Sequence, residues 1–171
     1  MTRDVYTTKL NELHADLEKM GQLVDRSIET VIHAFLNNDV TLAKEVMKND
    51  AFINDMQRTI ESLAISLMLQ QQPVASDLRN ITSIIKIVTD LERIGDQAAD
   101  MAEIMLEFKT TRLFKTIEHI PTMAEKARIM VYDAIDAFIS NNLEKGKKVI
   151  SMDDEIDALF LEVKKRSSEY P

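Results

Sequence analysis

The 171-residue chain contains no cysteine and no tryptophan, and only three glycines and three prolines. The lack of cysteine excludes disulfides, thiolate metal sites, iron–sulfur clusters and cysteine nucleophiles, and it suits a reducing cytosol. With so few helix breakers, most of the chain can run as continuous helix. Long apolar runs are missing too. The longest, "LAISLML" at 63–69, contains Ser66 and falls far short of the ~18 residues of a membrane span. The charged, amphipathic start "MTRDVYTTKLNELHADLEKMG" has no apolar h-region and is not read as a signal peptide. Basic surplus is also lacking. The net charge of −8 argues against a nucleic-acid partner, which usually needs a basic face, and is compatible with cations as ligands. A cytoplasmic protein that does not span a membrane is expected.

What is present is helical periodicity. Leu10, Leu13, Leu17, Met20, Val24, Ile28, Val31 and Phe35 step by three and four, which predicts a helix from about Tyr6 to Asn37. "NND" at 37–39 interrupts it, with Asp39 placed to cap a second helix from Val40 to Gln71. Pro73 ends that pattern. Ser76 or Asp77 can cap a third helix reaching about Lys109. Three antiparallel helices with loops this short make a bundle. Met47, Met56, Met101 and Met105 read as core filler.

The chain also repeats itself. "AFLNNDVTLAKEVMKNDAFIND" (34–55) aligns without a gap on "AFISNNLEKGKKVISMDDEIDA" (137–158), an offset of 103 residues. Ala34, Phe35, Asn38, Val46, Asp50 and Ile53 match Ala137, Phe138, Asn141, Val149, Asp153 and Ile156. A fourth helix from about Ile117 to Ser140 and a fifth from about Leu143 to Arg166 follow. The fold class expected is all-α: tandem three-helix bundles, with residues 1–110 as the first repeat and 111–171 as a second that lacks its third helix here. Ile135, Phe138, Val149, Ile156, Leu159 and Val163 should then form an exposed apolar strip that favours a homo-oligomer.

One stripe stands out chemically. In "DLERIGDQAADMAEIMLE" (90–107) six of eighteen residues are acidic, and Arg93 alone is basic. Glu92, Asp96, Asp100, Glu103 and Glu107 fall inside a sector of ~80° at ~100° per residue. Like charges at i and i+4 repel by about 0.2–0.5 kcal/mol per pair. Taking Ile81, Ile85 and Val88 as the apolar direction, Glu92 and Glu103 fall within about 40° of it, so the acids continue, or closely flank, the line that was apolar one turn earlier. Shielded carboxylates at that density need protons or cations. A second cluster, "MDDEID" at 152–157, places Asp153 and Asp157 at i, i+4. The first repeat has Asp50 and Asn54 at the equivalent places. Carboxylates are hard ligands for Mg²⁺, Ca²⁺, Mn²⁺ or iron. An ordinary solvated face, or acids complementing a helix dipole, is the plainer alternative.

Other chemistry finds no support. Histidine occurs at 14, 33 and 119, and no Glu-x-x-His of the di-iron carboxylate kind is present. His33 reads as a boundary residue near the end of the first helix. No G-x-S-x-G, P-loop or G-x-G-x-x-G occurs, and no catalytic residue is assigned.

The segments "LRNITSIIKIVTD" (78–90) and "DLERIGDQAADMAE" (90–103), the "NND" turn and the repeated D-x-x-I-[DN] element resemble the PhoU family of bacterial phosphate-uptake regulators. The resemblance reaches to about residue 166. It implies two tandem three-helix bundles and an E/D-x-x-x-D motif that binds multinuclear iron or other divalent metals in some members. Glu92 and Asp96 match that motif in the first repeat, and Asp153 and Asp157 in the second. Asp50 matches, with Asn54 in place of its acidic partner. Gln97 stands where histidine is common in the family, and Asp100 where asparagine is common. The resemblance therefore implies metal ligands at Glu92, Asp96, Asp100, Asp153, Asp157 and Asp50, for Fe, Zn, Mg or Mn. It also implies a cytoplasmic, non-enzymatic negative regulator of the phosphate-starvation response. Its partners would be the ATPase subunit of the phosphate ABC importer and the phosphate-sensing histidine kinase. A helical adaptor whose carboxylates never hold metal stays open, and so, more weakly, does a carboxylate-bridged metalloenzyme.

Overall fold

A computed structural model describes residues 3–71, 74–107 and 119–167. Among these residues the structure is entirely helical, in five helices: α1 (Arg3–Asn37), α2 (Val40–Gln71), α3 (Ala75–Glu107), α4 (Ile120–Ile139) and α5 (Leu143–Ser167). The bounds of α2 are those the periodicity predicts, while α1 starts three residues earlier than Tyr6. The expected end of the third helix at Lys109, the stop at Pro73 and the expected start of the fourth at Ile117 lie outside the described residues. The fourth helix begins instead at Ile120, with His119 at its N-cap and Pro121 in its first turn, where proline's missing N–H costs nothing. Ser76 and Asp77 lie inside the first turn of α3 rather than capping it.

α1, α2 and α3 pack on one another in all three pairings. Leu13, Leu17, Met20 and Val24 of α1, Ile53 and Ile60 of α2, and Ile81, Ile84 and Val88 of α3 are at most 1% exposed. Burying each contributes about 1.5–3 kcal/mol. Further along, the core narrows to Val31, Ala34, Ala43, Val46, Ala98, Ala102 and Met105. The buried line of α3 runs Ile81, Ile84, Val88, Leu91, Gly95, Ala98, Ala102, Met105, alternating steps of three and four. Ile84 holds the core position that the sequence reading gave to Ile85, which is half-buried. Among the methionines, Met105 is buried and Met56 and Met101 half-buried, but Met47 is exposed. His33 is exposed at the end of α1, as its boundary position suggested.

The two helix turns of the repeat are built alike. Asn38 (φ 53°) and Asn141 (φ 51°) are the only non-glycine residues with positive φ among the described residues. Asparagine tolerates this left-handed conformation better than other side chains. The amides that follow, of Asp39 and Asn142, donate back to the carbonyls of Ala34 and Ala137, both at 2.8 Å. Asp39 Oδ1 then accepts from the amides of Thr41 (2.9 Å) and Leu42 (3.0 Å), the expected N-cap. Asn142 Oδ1 accepts from the amide of Lys145 at 3.0 Å.

α4 packs against α1, and among the described helices α5 touches α4 alone. The α1–α4 contacts run antiparallel: His14 meets Phe138 edge-on with ring centroids 6.0 Å apart, Gly21 faces Ile135, and Asp25 pairs with Arg128. Asp25 and Arg128 are themselves 103 residues apart, so the two repeats meet at equivalent positions, as a local twofold relation requires. This arrangement corrects the expected apolar strip. Ile135 is buried against Gly21, Phe138 packs in part against the core, and Val149, Ile156, Leu159 and Val163 are half-buried. The large apolar side chains left open on this pair, among the described residues, are instead Ile129, Tyr132, Leu143, Ile150, Phe160 and Leu161.

Candidate metal centre

The acidic stripe of α3 begins beside its core line. Glu92 and Asp96 each follow a buried residue, Leu91 and Gly95, and so sit ~100° round the helix from it. Because the core passes through Ile84 rather than Ile85, the stripe flanks the core instead of continuing it. Only Glu92 and Asp96 are half-buried, while Asp100, Glu103 and Glu107 are exposed.

Gly95 brings a second helix to this flank. A Cβ at Gly95 would lie 2.9 Å from Ile53 Cδ1 and 3.2 Å from its Cγ2, so α2 and α3 approach as closely as they do because no side chain intervenes. The same approach places Asp50 Oδ1 3.6 Å from that Cβ position, between the two α3 carboxylates in sequence. Asn54, one turn along α2, donates its amide to Asp50 Oδ2 at 3.1 Å. Asn54 thus orients Asp50. Asp50 Oδ1 is buried and has no hydrogen-bond partner.

The electrostatics agree with this crowding. Burial pushes the Asp50 carboxyl above the usual carboxylate range, and the charge of Asp96 pushes it further. The hydrogen bond from Asn54 opposes the rise and the charge of Asp100 adds to it. Glu92 is also raised, first by burial, then by the charge of Asp96, a side-chain hydrogen bond with Asp96 and the charge of Asp50, with Arg93 opposing. Carboxyl groups that raise one another's pKa favour sharing a proton or a cation.

The structure therefore brings together Asp50, Glu92 and Asp96, with Asp100 at the open edge. It does not bring Asp153 and Asp157 to them. Both are exposed on α5, which contacts only α4 among the described helices. Their i, i+4 spacing gives one helix face, and among the described residues no facing helix supplies further ligands. No group of three acidic or histidine side chains converges tightly enough to cage a metal among the described residues. The arrangement is an open, carboxylate-only half-site suited to a hard cation that keeps several waters. The sequence reading missed Gly95 and the positioning role of Asn54. The signal for the first was a glycine inside an otherwise unbroken helical run.

Comparisons with known proteins agree with this architecture. The PhoU domain model matches residues 17–105 and 120–169. A phosphate-specific transport system accessory protein PhoU homolog of Clostridium acetobutylicum is 38% identical over 94% of this chain and 74% of its own length. One from Aquifex aeolicus is 35% identical over 95% of this chain and 73% of its own. The crystal structure of PhoU from Pseudomonas aeruginosa superposes with a TM-score of 0.85 at 29% identity, covering 96% of this chain and 79% of that one. The phosphate transport system regulatory protein PhoU from Streptococcus pneumoniae gives the same TM-score at 28% identity, covering 94% and 76%. With its five helices, its repeated turn and its LERIGD segment accounted for, this chain belongs to the PhoU family.

Proposed function

We propose that this protein is a non-enzymatic accessory regulator of phosphate import whose α2–α3 seam holds a divalent cation or iron through Asp50, Glu92 and Asp96. Asp100 completes the open side. The observation that carries the metal reading is Asp50 Oδ1, buried and unpartnered where α2 closes over Gly95. A hard cation would satisfy that oxygen, remove the repulsion that raises Asp50 and Glu92, and tie α2 to α3. Asp153 and Asp157 can form a second site only with acidic side chains from a facing helix. The regulatory role is supported by the names of the relatives. Within this reading the protein is cytoplasmic and represses the phosphate-starvation response. It acts on the importer's ATPase subunit and on the phosphate-sensing histidine kinase. The two-repeat division near residue 110 and self-association through the exposed apolar residues of α5 belong to the same reading.

The test is metal content of protein purified without chelators, together with melting curves in Mg²⁺, Mn²⁺, Fe²⁺ and Zn²⁺. Binding at a hundredfold excess over Kd stabilises the fold by about 2.7 kcal/mol. The pair Glu92→Gln and Asp96→Asn keeps the shape and removes the charge. It should abolish both the metal and the thermal shift, and be slightly more stable than the parent in chelator. If parent and variant show no shift with any of the four metals, the seam is a metal-free adaptor face.

A further inference from the structure

A second site lies on the other side of α1, where the two repeats meet. α1 and α4 enclose a cleft of about 450 Å³, within the range of ligand pockets. Its floor is apolar. Gly21 and Ile135 are so close that a Cβ on the glycine would lie 2.3 Å from Ile135 Cδ1. Two large apolar side chains stand open beside that floor, Ile129 at 42% and Tyr132 at 68% exposure.

The rim is acidic. Glu18, Asp25, Glu125 and Asp136 line the cleft, and Arg128 is its one cation. That cation is already committed. Arg128 donates from Nε to Asp25 Oδ1 at 2.8 Å and from Nη2 to Asp25 Oδ2 at 3.1 Å. Its Nη1 lies 3.2 Å from both Glu29 and Glu125. Lys145, from α5, takes Asp136 at 2.8 Å. Glu18 makes no ion pair among the described residues. Four rim carboxylates set against Arg128 and the Lys145 that pairs with Asp136 leave the cleft a net negative charge of two over an apolar floor. An anion is repelled there, and a neutral apolar ligand would strand the rim carboxylates.

We propose that this cleft docks a basic segment of a protein partner, an arginine or lysine side chain laid across the seam of the two repeats. The methylene stem would cover Gly21, Ile129 and Ile135, and the charged head would reach Glu18 and Glu125. Long basic side chains bury their stems and keep the head at the polar edge in this way. Tyr132 adds a cation platform. Its ring already carries Lys145 Nζ at 5.4 Å from the centroid, the geometry of a cation–π contact. A segment bound there touches one helix of each repeat, so docking and the relative setting of the repeats are coupled. The proposal goes beyond the phosphate-import reading and does not depend on metal at the α2–α3 seam.

The experiment uses the full chain and a fluorescent, capped helical peptide of leucine and arginine. Anisotropy is recorded at physiological salt, and the δ1 methyls of the isoleucines are followed by NMR. Saturable binding should shift the methyls of Ile129 and Ile135. The pair Glu18→Gln and Glu125→Gln should weaken binding about tenfold, and Tyr132→Ala about fivefold. The pair Glu61→Gln and Glu144→Gln removes the same charge outside the cleft and should change affinity less than about twofold. Equal weakening by both glutamine pairs would overturn the proposal, because binding would then follow net charge alone. Binding that spermidine matches in affinity and in methyl shifts would also overturn it, in favour of a free polyamine. Absence of saturable binding would do so outright.

Discussion

The two helix-turn-helix units of this protein share their local code and differ in what covers them. Val31, Ala34, Ala43 and Val46 of α1–α2 are between 0% and 2% exposed, sealed by Ala98, Ala102 and Met105 of α3. The equivalents in α4–α5 are Ala134, Ala137, Gly146 and Val149. They line an open groove of about 490 Å³. Ala137 stays buried, Gly146 and Val149 are half-buried, and Ala134 is exposed. The turns are nonetheless built alike, from an asparagine at positive φ to the capping oxygen that follows it. Turn geometry is thus written in a few adjacent residues, whereas burial depends on the helix that arrives from elsewhere. Polar links differ as well. Lys126 pairs with Glu155 across α4 and α5, where the first unit has Leu23 and Phe52. Such exposed pairs contribute little, about 0–1 kcal/mol each, so the stability of the molecule should reside mainly in α1–α3.

Truncating one residue in each unit tests that difference with the largest expected effect. Ile53 is 1% exposed, and its equivalent Ile156 is half-buried. Ile53→Ala should cost about 2–5 kcal/mol, from lost transfer energy and the cavity left beside Gly95. Ile156→Ala should cost about 1 kcal/mol or less. Denaturant midpoints at unchanged slope measure both. Equal losses would mean that α4–α5 is as tightly packed as the first unit, and the comparison would fail.

The seam between the units gives the next effect. Gly21→Ala forces the new methyl onto Ile135 Cδ1, so that side chain must leave its rotamer or the helices must part. The expected cost is about 1–3 kcal/mol. Adding Ile135→Val removes the Cδ1 in question. The double variant should then recover most of the loss, a coupling that residues in contact show and distant ones do not. Additive losses would place the strain elsewhere.

A smaller effect separates the acidic seam of the first unit from the acids of α5. The pKa values of Asp50 and Glu92 are raised, so the folded protein holds these protons more tightly than the unfolded chain. Their contribution to stability is fully present below the unfolded carboxylate values and is lost as pH rises through the raised ones. In chelator, Asp50→Asn with Glu92→Gln should flatten the fall in melting temperature with rising pH over that window. Asp153→Asn with Asp157→Asn, on the exposed face of α5, should leave it unchanged. Mn²⁺ should reverse the trend in the parent, because the metal needs the ionised carboxylates. Identical pH curves for the parent and the first variant would show that the seam does not shield its acids.

These contrasts also show how far residues alone carried the reading. The helices and turns were readable because apolar steps of three and four, the "NND" interruption and the 103-residue offset are properties of one segment at a time. In "IIKIV" at 84–88 apolar residues point to several sides, and only the packing of α1 and α2 selects Ile84 over Ile85. The i, i+4 spacing of Asp153 and Asp157 matched that of Glu92 and Asp96, yet spacing describes one helix, and a site needs a facing one. Asp50 stood out only as the repeat equivalent of Asp153, and its place beside Glu92 and Asp96 comes from the approach of α2 to α3 at Gly95. Gly95 and the Asp25–Arg128 pair act between elements, so no periodicity within one helix marked them.

The smallest effect concerns a glycine that the comparison makes unusual. Gly146 lies inside α5, at the position where the first unit has the buried Ala43. A Cβ at Gly146 would meet no atom within 4 Å, and its φ is not positive. Nothing in the fold therefore requires glycine there, and its backbone freedom in the unfolded chain weakens the helix. Gly146→Ala should stabilise the protein by about 0.5–1 kcal/mol. The same change at Gly21 should destabilise it, so the two variants differ in sign although the substitution is identical. Thermal melts of both in one buffer decide the matter. A gain at Gly146 makes the second unit a looser copy of the first, with room that α3 does not leave at Ala43. A loss there would mean that the groove floor is already filled, by a second copy of the chain in solution. Sedimentation of parent and variant at matched concentrations would then show a dimer that the added methyl disrupts.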